Sequence, residues 1–175
     1  MKKRHFLQTS ASFLGVFALS SCSLQQTDAQ AESLPDSTAK RSFDPNQFEV
    51  SKTPDEWREI LSPEAFSVLR EHGTERPFTS PLNKLYESGT YVCAGCAQPL
   101  YSSSTKFDSG TGWPSFYAAL PDAVGTSVDN SFLMTRTEVH CARCGGHLGH
   151  IFNDGPQPTG KRHCINGVAL KFVEA

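Results

Sequence analysis

The segment Cys141–His150 reads CARCGGHLGH and joins a Cys-x-x-Cys pair directly to two histidines. A second pair, Cys93 and Cys96, precedes it, with 44 residues between the two pairs. Two tight turns with two thiolates each can close a tetrahedral shell around Zn²⁺, and this separation exceeds that of a simple zinc ribbon. We therefore expect one structural Zn²⁺ per chain that joins two distant strand ends of a larger domain. Its predicted ligands are Cys93, Cys96, Cys141 and Cys144.

A closed shell of four cysteines leaves no position for substrate or an activated water. It therefore argues against hydrolytic zinc chemistry at this site. Iron is an alternative occupant of the same thiolates. Disulfide bonds are the other alternative, because an exported protein meets an oxidising environment.

Cys164 stands apart from these pairs, in the polar sequence Arg162-His163-Cys164-Ile165-Asn166. A single cysteine in a strand is more often a small buried apolar residue than a nucleophile. Arg162 and nearby histidines can nevertheless stabilise a thiolate, which is the reactive form. Cys164 is thus a candidate nucleophile, and His147 and His150 are candidate acids or bases. Either histidine can instead be a metal ligand or a structural residue.

The loop Phe107–Phe116 reads FDSGTGWPSF. Pro114 restricts Trp113 to extended backbone, and the glycines permit a tight loop that can present the indole at a surface. An aromatic wall beside donor side chains would suit a sulfoxide flanked by a methyl group. The alternative is a Trp113 that is buried in the core on a turn.

The remaining sequence predicts two short helices followed by a mainly β domain. Thr53-Pro54-Asp55-Glu56 and Ser62-Pro63-Glu64 are typical of helix N-termini, and Gly73 is a candidate stop. Alternating apolar residues predict strands at 89–92, 131–139 and 164–173. The predicted class is α+β with mainly antiparallel strands.

The N-terminus is typical of an export signal. Lys2-Lys3-Arg4 is followed by the apolar run Phe13–Leu19, which is too short to span a bilayer. Leu19-Ser20-Ser21-Cys22 resembles the bacterial lipobox, which implies a signal peptide at 1–21, lipidated Cys22 and a linker at 22–48. The segment Lys3–Gln8 also resembles a twin-arginine motif. The alternative is a simple secretory signal with an incidental Cys22.

We therefore expect an exported lipoprotein, anchored to a membrane through Cys22 on the periplasmic or cell-surface side. Its catalytic domain would occupy residues 49–175. Without residues 1–21, the chain has 13 Lys and Arg against 18 Asp and Glu. A mildly acidic domain argues against nucleic acid as a partner.

Five motifs in this order resemble the peptide methionine-(R)-sulfoxide reductase (MsrB) family. They are the first Cys-x-x-Cys pair, Lys106–Phe116, Cys141–His150, Asn153–Pro156 and Arg162–Asn166. The resemblance implies two antiparallel β-sheets with short N-terminal helices and a zinc site of four cysteines. It also implies thiol-dependent reduction of methionine (R)-sulfoxide in proteins or peptides, which would repair oxidised exported proteins.

The resemblance implies a role for each matching residue. Cys164 would attack the sulfoxide sulfur and become a sulfenic acid, while His147, His150, Arg162 and Asn166 would orient and protonate the oxygen. Trp113 would hold the substrate methyl group, with Phe116 and Asp154 also in the substrate site.

Thr111 departs from the pattern of many relatives, which have a resolving cysteine at this position. We therefore expect a thioredoxin-like protein or another thiol to reduce the sulfenic acid directly. Two other functions stay open from the sequence, a zinc-ribbon binding module and a catalytically silent surface lipoprotein.

Overall fold

The computed structural model describes residues 48–175. The predicted signal peptide, Cys22 and nearly all of the linker lie outside the described residues, so these assignments stay predictions. Within the described part of the chain, no helix has the length and apolar character needed to cross a membrane.

Two short helices open the described region, as their capping residues predict. Helix α1 spans Pro54–Ile60, and α2 spans Pro63–Glu71. The Thr53 side chain accepts a hydrogen bond from the Glu56 amide while the Glu56 carboxylate accepts one from the Thr53 amide, which completes a capping box. Helix α2 ends at His72, whose left-handed backbone (φ 55°) turns the chain toward the sheets.

Nine strands form two antiparallel sheets, which confirms the predicted fold class. The first sheet has the order β2-β1-β9, and the second has the order β3-β4-β8-β7-β6-β5. The strands are β1 (Gly89–Cys93), β2 (Pro99–Ser102), β3 (Lys106–Phe107), β4 (Ser115–Phe116), β5 (Val124–Asp129), β6 (Arg136–Cys141), β7 (His147–Phe152), β8 (Arg162–Ile165) and β9 (Leu170–Glu174).

Two of the three predicted strands have different limits in the structure. The expected strand at 164–173 is wrong as one element, because β8 belongs to the second sheet and β9 to the first. A 3-10 turn at Gly167–Ala169 carries the chain between them. The expected strand at 131–139 begins only at Arg136, after a 3-10 turn at Ser131–Leu133.

An aromatic cluster fills the space between the two sheets. Tyr91 and Tyr101 come from the first sheet and Phe116 from the second, and all three are fully buried. The rings of Tyr101 and Phe116 stack at 4.4 Å, and Tyr91 meets Phe116 edge-on at 5.0 Å. These contacts fix the position of β4, and therefore of the neighbouring β8, against the first sheet.

Helix α2 is attached to the second Cys-x-x-Cys turn through Arg70. Its guanidinium donates to the Cys144 carbonyl at 3.1 Å and to the Cys144 Sγ at 3.2 Å. The same group lies 4.1 Å from the centroid of the Trp57 ring, on α1. One cation thus holds both helices against this turn.

Candidate active site and metal centre

Strand register brings the candidate nucleophile beside one of the predicted histidines. Cys164 on β8 lies opposite His150 on β7 and opposite Ser115 on β4. Directly opposed residues on adjacent strands project from the same face of a sheet. His147, at the start of β7, has its ring centroid 5.4 Å from that of His150. The structure therefore groups Cys164 with both histidines that the sequence predicts.

Burial dominates the electrostatics of Cys164. It raises the pKa of the thiol above its ordinary value, although the Arg162 guanidinium acts in the opposite direction. A hydrogen bond from the Thr111 hydroxyl would also lower this pKa, but only with its proton turned toward the sulfur. Arg162 itself is fixed by a two-point ion pair with Asp154, with N···O distances of 2.9 Å on both sides. Asp154 thus positions Arg162 next to Cys164. At rest the cysteine is a thiol rather than a thiolate.

A chain of hydroxyl groups runs from Cys164 to a backbone carbonyl. The Thr111 Oγ1 lies 4.0 Å from the Cys164 Sγ and 2.8 Å from the Ser109 Oγ. The Ser109 Oγ lies 2.7 Å from the Ser115 Oγ, and the Ser115 hydroxyl donates to the Trp113 carbonyl at 3.1 Å. Three hydroxyl groups therefore form four successive contacts between the Cys164 sulfur and the Trp113 carbonyl.

Counting protons shows which group donates in each hydrogen bond of this chain, because each hydroxyl has only one proton to donate. The Ser115 proton serves the Trp113 carbonyl, so Ser109 must donate to Ser115 and Thr111 must donate to Ser109. The Thr111 oxygen is then an acceptor toward Cys164, and a thiol satisfies every contact. A Cys164 thiolate needs all three hydroxyls to turn, which leaves the Trp113 carbonyl without this donor. The chain therefore favours the protonated cysteine.

His150 is paired with a carboxylate that the sequence did not reveal. Its Nε2 lies 2.8 Å from the Asp129 Oδ2, and Arg136 contacts the same oxygen at 2.6 Å. Burial lowers the pKa of His150, so the ring is neutral at neutral pH. Hydrogen bonds from Ser131, His150 and Arg136 outweigh burial and hold the pKa of Asp129 well below its usual range. Asp129 can stabilise an imidazolium that forms on His150.

His147 is paired in the same way with Glu138. Its Nδ1 lies 2.8 Å from the Glu138 Oε1, and the Ser127 hydroxyl donates to the Oε2 at 2.6 Å. Despite burial, hydrogen bonds from His147, His72 and Ser127 lower the pKa of Glu138. The Nε2 of His147 is buried and has no hydrogen-bond partner within residues 48–175. This nitrogen is the ring atom available for chemistry.

Glu75 connects the predicted substrate wall to the turn after Cys164. The Trp113 Nε1 donates to the Glu75 carbonyl at 3.2 Å, and the Glu75 amide donates to the Asn166 Oδ1 at 3.0 Å. The Glu75 carboxylate accepts from the amides of Gly167 and Val168 at 2.6 and 3.0 Å. Trp113 is only partly buried. Its ring is held beside the active face rather than within the core.

Asn166 and Phe116 occupy supporting positions in this structure. The Asn166 side chain donates to the Leu148 carbonyl at 3.0 Å, so both ends of its amide bind backbone groups. Phe116 is fully buried against Tyr101 and lies directly below the active face. The catalytic role expected for Asn166 and the substrate-binding role expected for Phe116 stay predictions.

The sequence analysis did not identify Glu75, Asp129 or Glu138 as part of the site. Of the three, Glu138 could most easily have been predicted from the sequence, because it is a charged residue inside a predicted strand. Alternation alone would put it on the face opposite Val139, yet both are buried. Helix α2 covers the second face at this point and places His72 within 2.9 Å of the Glu138 carboxylate. A long-range contact of this kind leaves no local sequence signal.

The four paired cysteines form a cluster between the two sheets, called the four-cysteine cluster below. Cys93 ends β1 of the first sheet, and Cys141 ends β6 of the second. The sulfurs of Cys93 and Cys144 are 3.7 Å apart, and those of Cys96 and Cys141 are 3.5 Å apart. Four sulfurs at about 2.3 Å from a tetrahedral zinc would be separated by about 3.8 Å. All four sulfurs lie within 4.8 Å of one another, and the described cysteines form no disulfide. The cluster can hold a metal ion.

Comparison with known proteins agrees with this geometry. The SelR domain family matches residues 61–174. Peptide methionine sulfoxide reductase MsrB of Methanosarcina barkeri is 56% identical over 127 residues, which cover 72% of this chain and 89% of that protein. The MsrB of Leptospira interrogans is 53% identical over 126 residues, which cover 71% of this chain and 96% of that protein. The MsrB of Agrobacterium fabrum is 55% identical over 124 residues, which cover 70% and 92%. The chain therefore belongs to the peptide methionine sulfoxide reductase MsrB family, whose members are oxidoreductases.

Proposed function

We propose that this protein reduces the (R) epimer of methionine sulfoxide in proteins and peptides through a sulfenic acid on Cys164. The observation that carries the proposal is the register of β7 and β8, which sets Cys164 opposite His150. Arg162 lies beside the sulfur, and Trp113 is only partly buried. Family membership favours this enzyme over a zinc-ribbon binding module.

The resting protonation states supply the proton that the reaction needs. Cys164 holds a proton because its pKa is raised, and His150 lacks one because its pKa is lowered. Transfer of the thiol proton to an imidazole creates the thiolate nucleophile and an acid in one step. The sulfur attacks the sulfoxide sulfur, and the imidazolium protonates the oxygen.

The products then balance without another reactant. Cys164 gains the oxygen as a sulfenic acid and is oxidised by two electrons, while the substrate leaves as methionine. Asp129 and Glu138 stabilise the transient imidazolium on His150 or His147. Arg162 carries a fixed positive charge that favours both the thiolate and the developing oxyanion.

The second half of the cycle depends on an external thiol. Thr111 offers a hydroxyl 4.0 Å from the Cys164 Sγ, at the position where a resolving cysteine would stand. The other described cysteines belong to the metal cluster. A thioredoxin-like protein or another thiol attacks the sulfenic acid and releases water. A second thiol then regenerates Cys164 and leaves as a disulfide.

Zinc is the proposed occupant of the four-cysteine cluster. Four thiolates at tetrahedral spacing are a preferred zinc environment, and the shell has no open position. When bound, the ion supplies a cross-link between the two sheets rather than reaction chemistry. Arg70 offsets part of the negative charge by donating to the Cys144 sulfur.

We also propose that the protein is exported and anchored to a membrane through lipidated Cys22. The support lies in the sequence alone, in the basic and apolar leader that ends at Leu19-Ser20-Ser21-Cys22. The anchored domain would repair oxidised proteins on the periplasmic or cell-surface side. Twin-arginine transport would export the domain already folded.

A stereochemical assay tests the proposed activity. With a dithiol reductant, purified protein is expected to reduce peptides with the (R) sulfoxide and to leave the (S) epimer unchanged. Replacing Cys164 with Ser should lower turnover by at least about 10³-fold, because the nucleophile is lost. Metal content should be the same in both proteins. Equal reduction of both epimers, or activity retained in Cys164→Ser, would contradict the proposal.

Mass spectrometry after one turnover tests the one-cysteine cycle. Wild-type protein should gain one oxygen on Cys164, whereas Thr111→Cys should form a disulfide because residue 111 already contacts that sulfur. Ser104→Cys is the matched control, since Ser104 is an exposed hydroxyl residue outside the chain of contacts to Cys164. A Cys164-linked disulfide in the wild-type protein would rule out this cycle.

Metal analysis of protein purified without oxidant tests the zinc assignment. One zinc per chain is expected. Cys96→Ser should lose the ion and lower the free energy of unfolding by several kcal/mol, because the link between the sheets is lost. Cys164→Ser serves as the control with the same chemical change outside the cluster. Iron, or disulfides in place of a metal, would contradict the assignment.

Cell fractionation tests the anchor. The full chain should sediment with membranes and carry lipid on Cys22 after removal of residues 1–21. Cys22→Ala should release an active, soluble domain, whereas Ser23→Ala should stay at the membrane. A soluble wild-type protein, or membrane attachment that persists in Cys22→Ala, would disprove lipidation.

A further inference from the structure

A second cluster of metal-binding residue types lies outside the four-cysteine cluster. It consists of His72 at the end of α2, Glu138 on β6 and His147 at the start of β7. The Glu138 Oε1 lies 2.9 Å from the Nδ1 of His72 and 2.8 Å from the Nδ1 of His147. The three ligand atoms lie within 4.8 Å of one another. His72 has no part in the reaction proposed above.

The donor set suits a divalent transition metal. Two imidazole nitrogens and one carboxylate oxygen are ligands that zinc, cobalt and nickel share. Neighbouring ligands of a tetrahedral zinc with bonds of about 2.0–2.2 Å lie about 3.3–3.6 Å apart. The two N···O distances, 2.9 and 2.8 Å, are those of hydrogen bonds and are shorter than this spacing by less than about 1 Å. Two nitrogens that converge on the same oxygen also need little movement to face one ion.

The surroundings leave one side of the cluster open. Glu138 and His147 are buried, with side-chain exposures of 4% and 3%, and the Ser127 hydroxyl holds the other carboxylate oxygen. The His72 side chain is 46% exposed. An ion can therefore enter beside His72 and complete its shell with water.

We propose that His72, Glu138 and His147 form a second site for a divalent transition metal such as Zn²⁺, and that its occupation inhibits the enzyme. The ion binds the Nδ1 of His147 and takes the Glu138 oxygen that otherwise stabilises an imidazolium. The single proton of the neutral metal-bound imidazole then lies on Nε2, so this nitrogen has no lone pair left to accept the thiol proton. The binding part stands on geometry alone, whereas the inhibition part rests on the proposed function.

Cobalt titration tests the binding. The protein is Cys164→Ser with the metal of the four-cysteine cluster in place, so that no free thiolate competes. One further equivalent of Co²⁺ should bind and give weak d–d absorption without a thiolate charge-transfer band. His72→Asn should weaken this binding at least about 10-fold, because one ligand is lost. Asn tolerates the left-handed backbone at position 72.

His140→Asn, a change on the same strand as Glu138, is the control and should bind Co²⁺ as the parent protein does. No second equivalent, or equal affinity in His72→Asn, would overturn the site.

Inhibition is measured on protein with Cys164 intact. Zn²⁺ in excess of the four-cysteine cluster should inhibit the wild-type enzyme, and His72→Asn should need at least about 10-fold more Zn²⁺ for the same loss of turnover, since one of its ligands is missing. The loss of turnover is measured for each protein relative to its own activity without added metal. Equal inhibition of both would place the effect elsewhere and overturn the inhibitory role. If the wild type reduces no methionine sulfoxide, the proposed function fails, while the cobalt titration still decides the site.

Discussion

The four-cysteine cluster is the contact on which the rest of the structure depends. It joins the end of β1 in the first sheet to the end of β6 in the second, and no other group of described residues brings four ligands of one kind together. The chain continues from Cys144 into β7 within three residues, so the four-cysteine cluster also fixes where His147 begins that strand. Arg70 extends the same anchor to both helices. A site without catalytic chemistry of its own thus sets the positions of the groups that react.

A carboxylate partner controls how readily each of the two histidines, His147 and His150, can hold a proton. His150 and His147 each bind a carboxylate that stays ionised, yet burial keeps His150 neutral at rest. Such a pair accepts a proton only when a nearby group releases one, and Cys164 is the group that can do so. Reactivity therefore belongs to the assembled set of thiol, imidazole and carboxylate rather than to an activated cysteine. Arg162, held by Asp154, supplies a permanent positive charge beside the sulfur.

Local signals explain which features the sequence could predict. The Thr53–Glu56 capping box and the two Cys-x-x-Cys turns involve residues three apart, so their geometry follows from the sequence itself. The break between β8 and β9 depends on which sheet each half joins, and alternation of apolar residues is the same in either case. Asp129 and Glu138 reach their histidines across strands, and Glu75 reaches Trp113 across 38 residues. Partners set by tertiary packing could not be found from spacing.

The hydroxyl chain of Thr111, Ser109 and Ser115 has a consequence for chemical selectivity. A thiolate reacts with peroxides and other small electrophiles much faster than a thiol does. A cysteine that rests as a thiol is therefore a poor target for them. With the Cys164 thiol as a donor, every hydrogen bond of the chain can form. All three hydroxyl groups must rotate before Thr111 can donate to a Cys164 thiolate. In the proposed enzyme, the three hydroxyls would thus limit the oxidation of Cys164 by small oxidants.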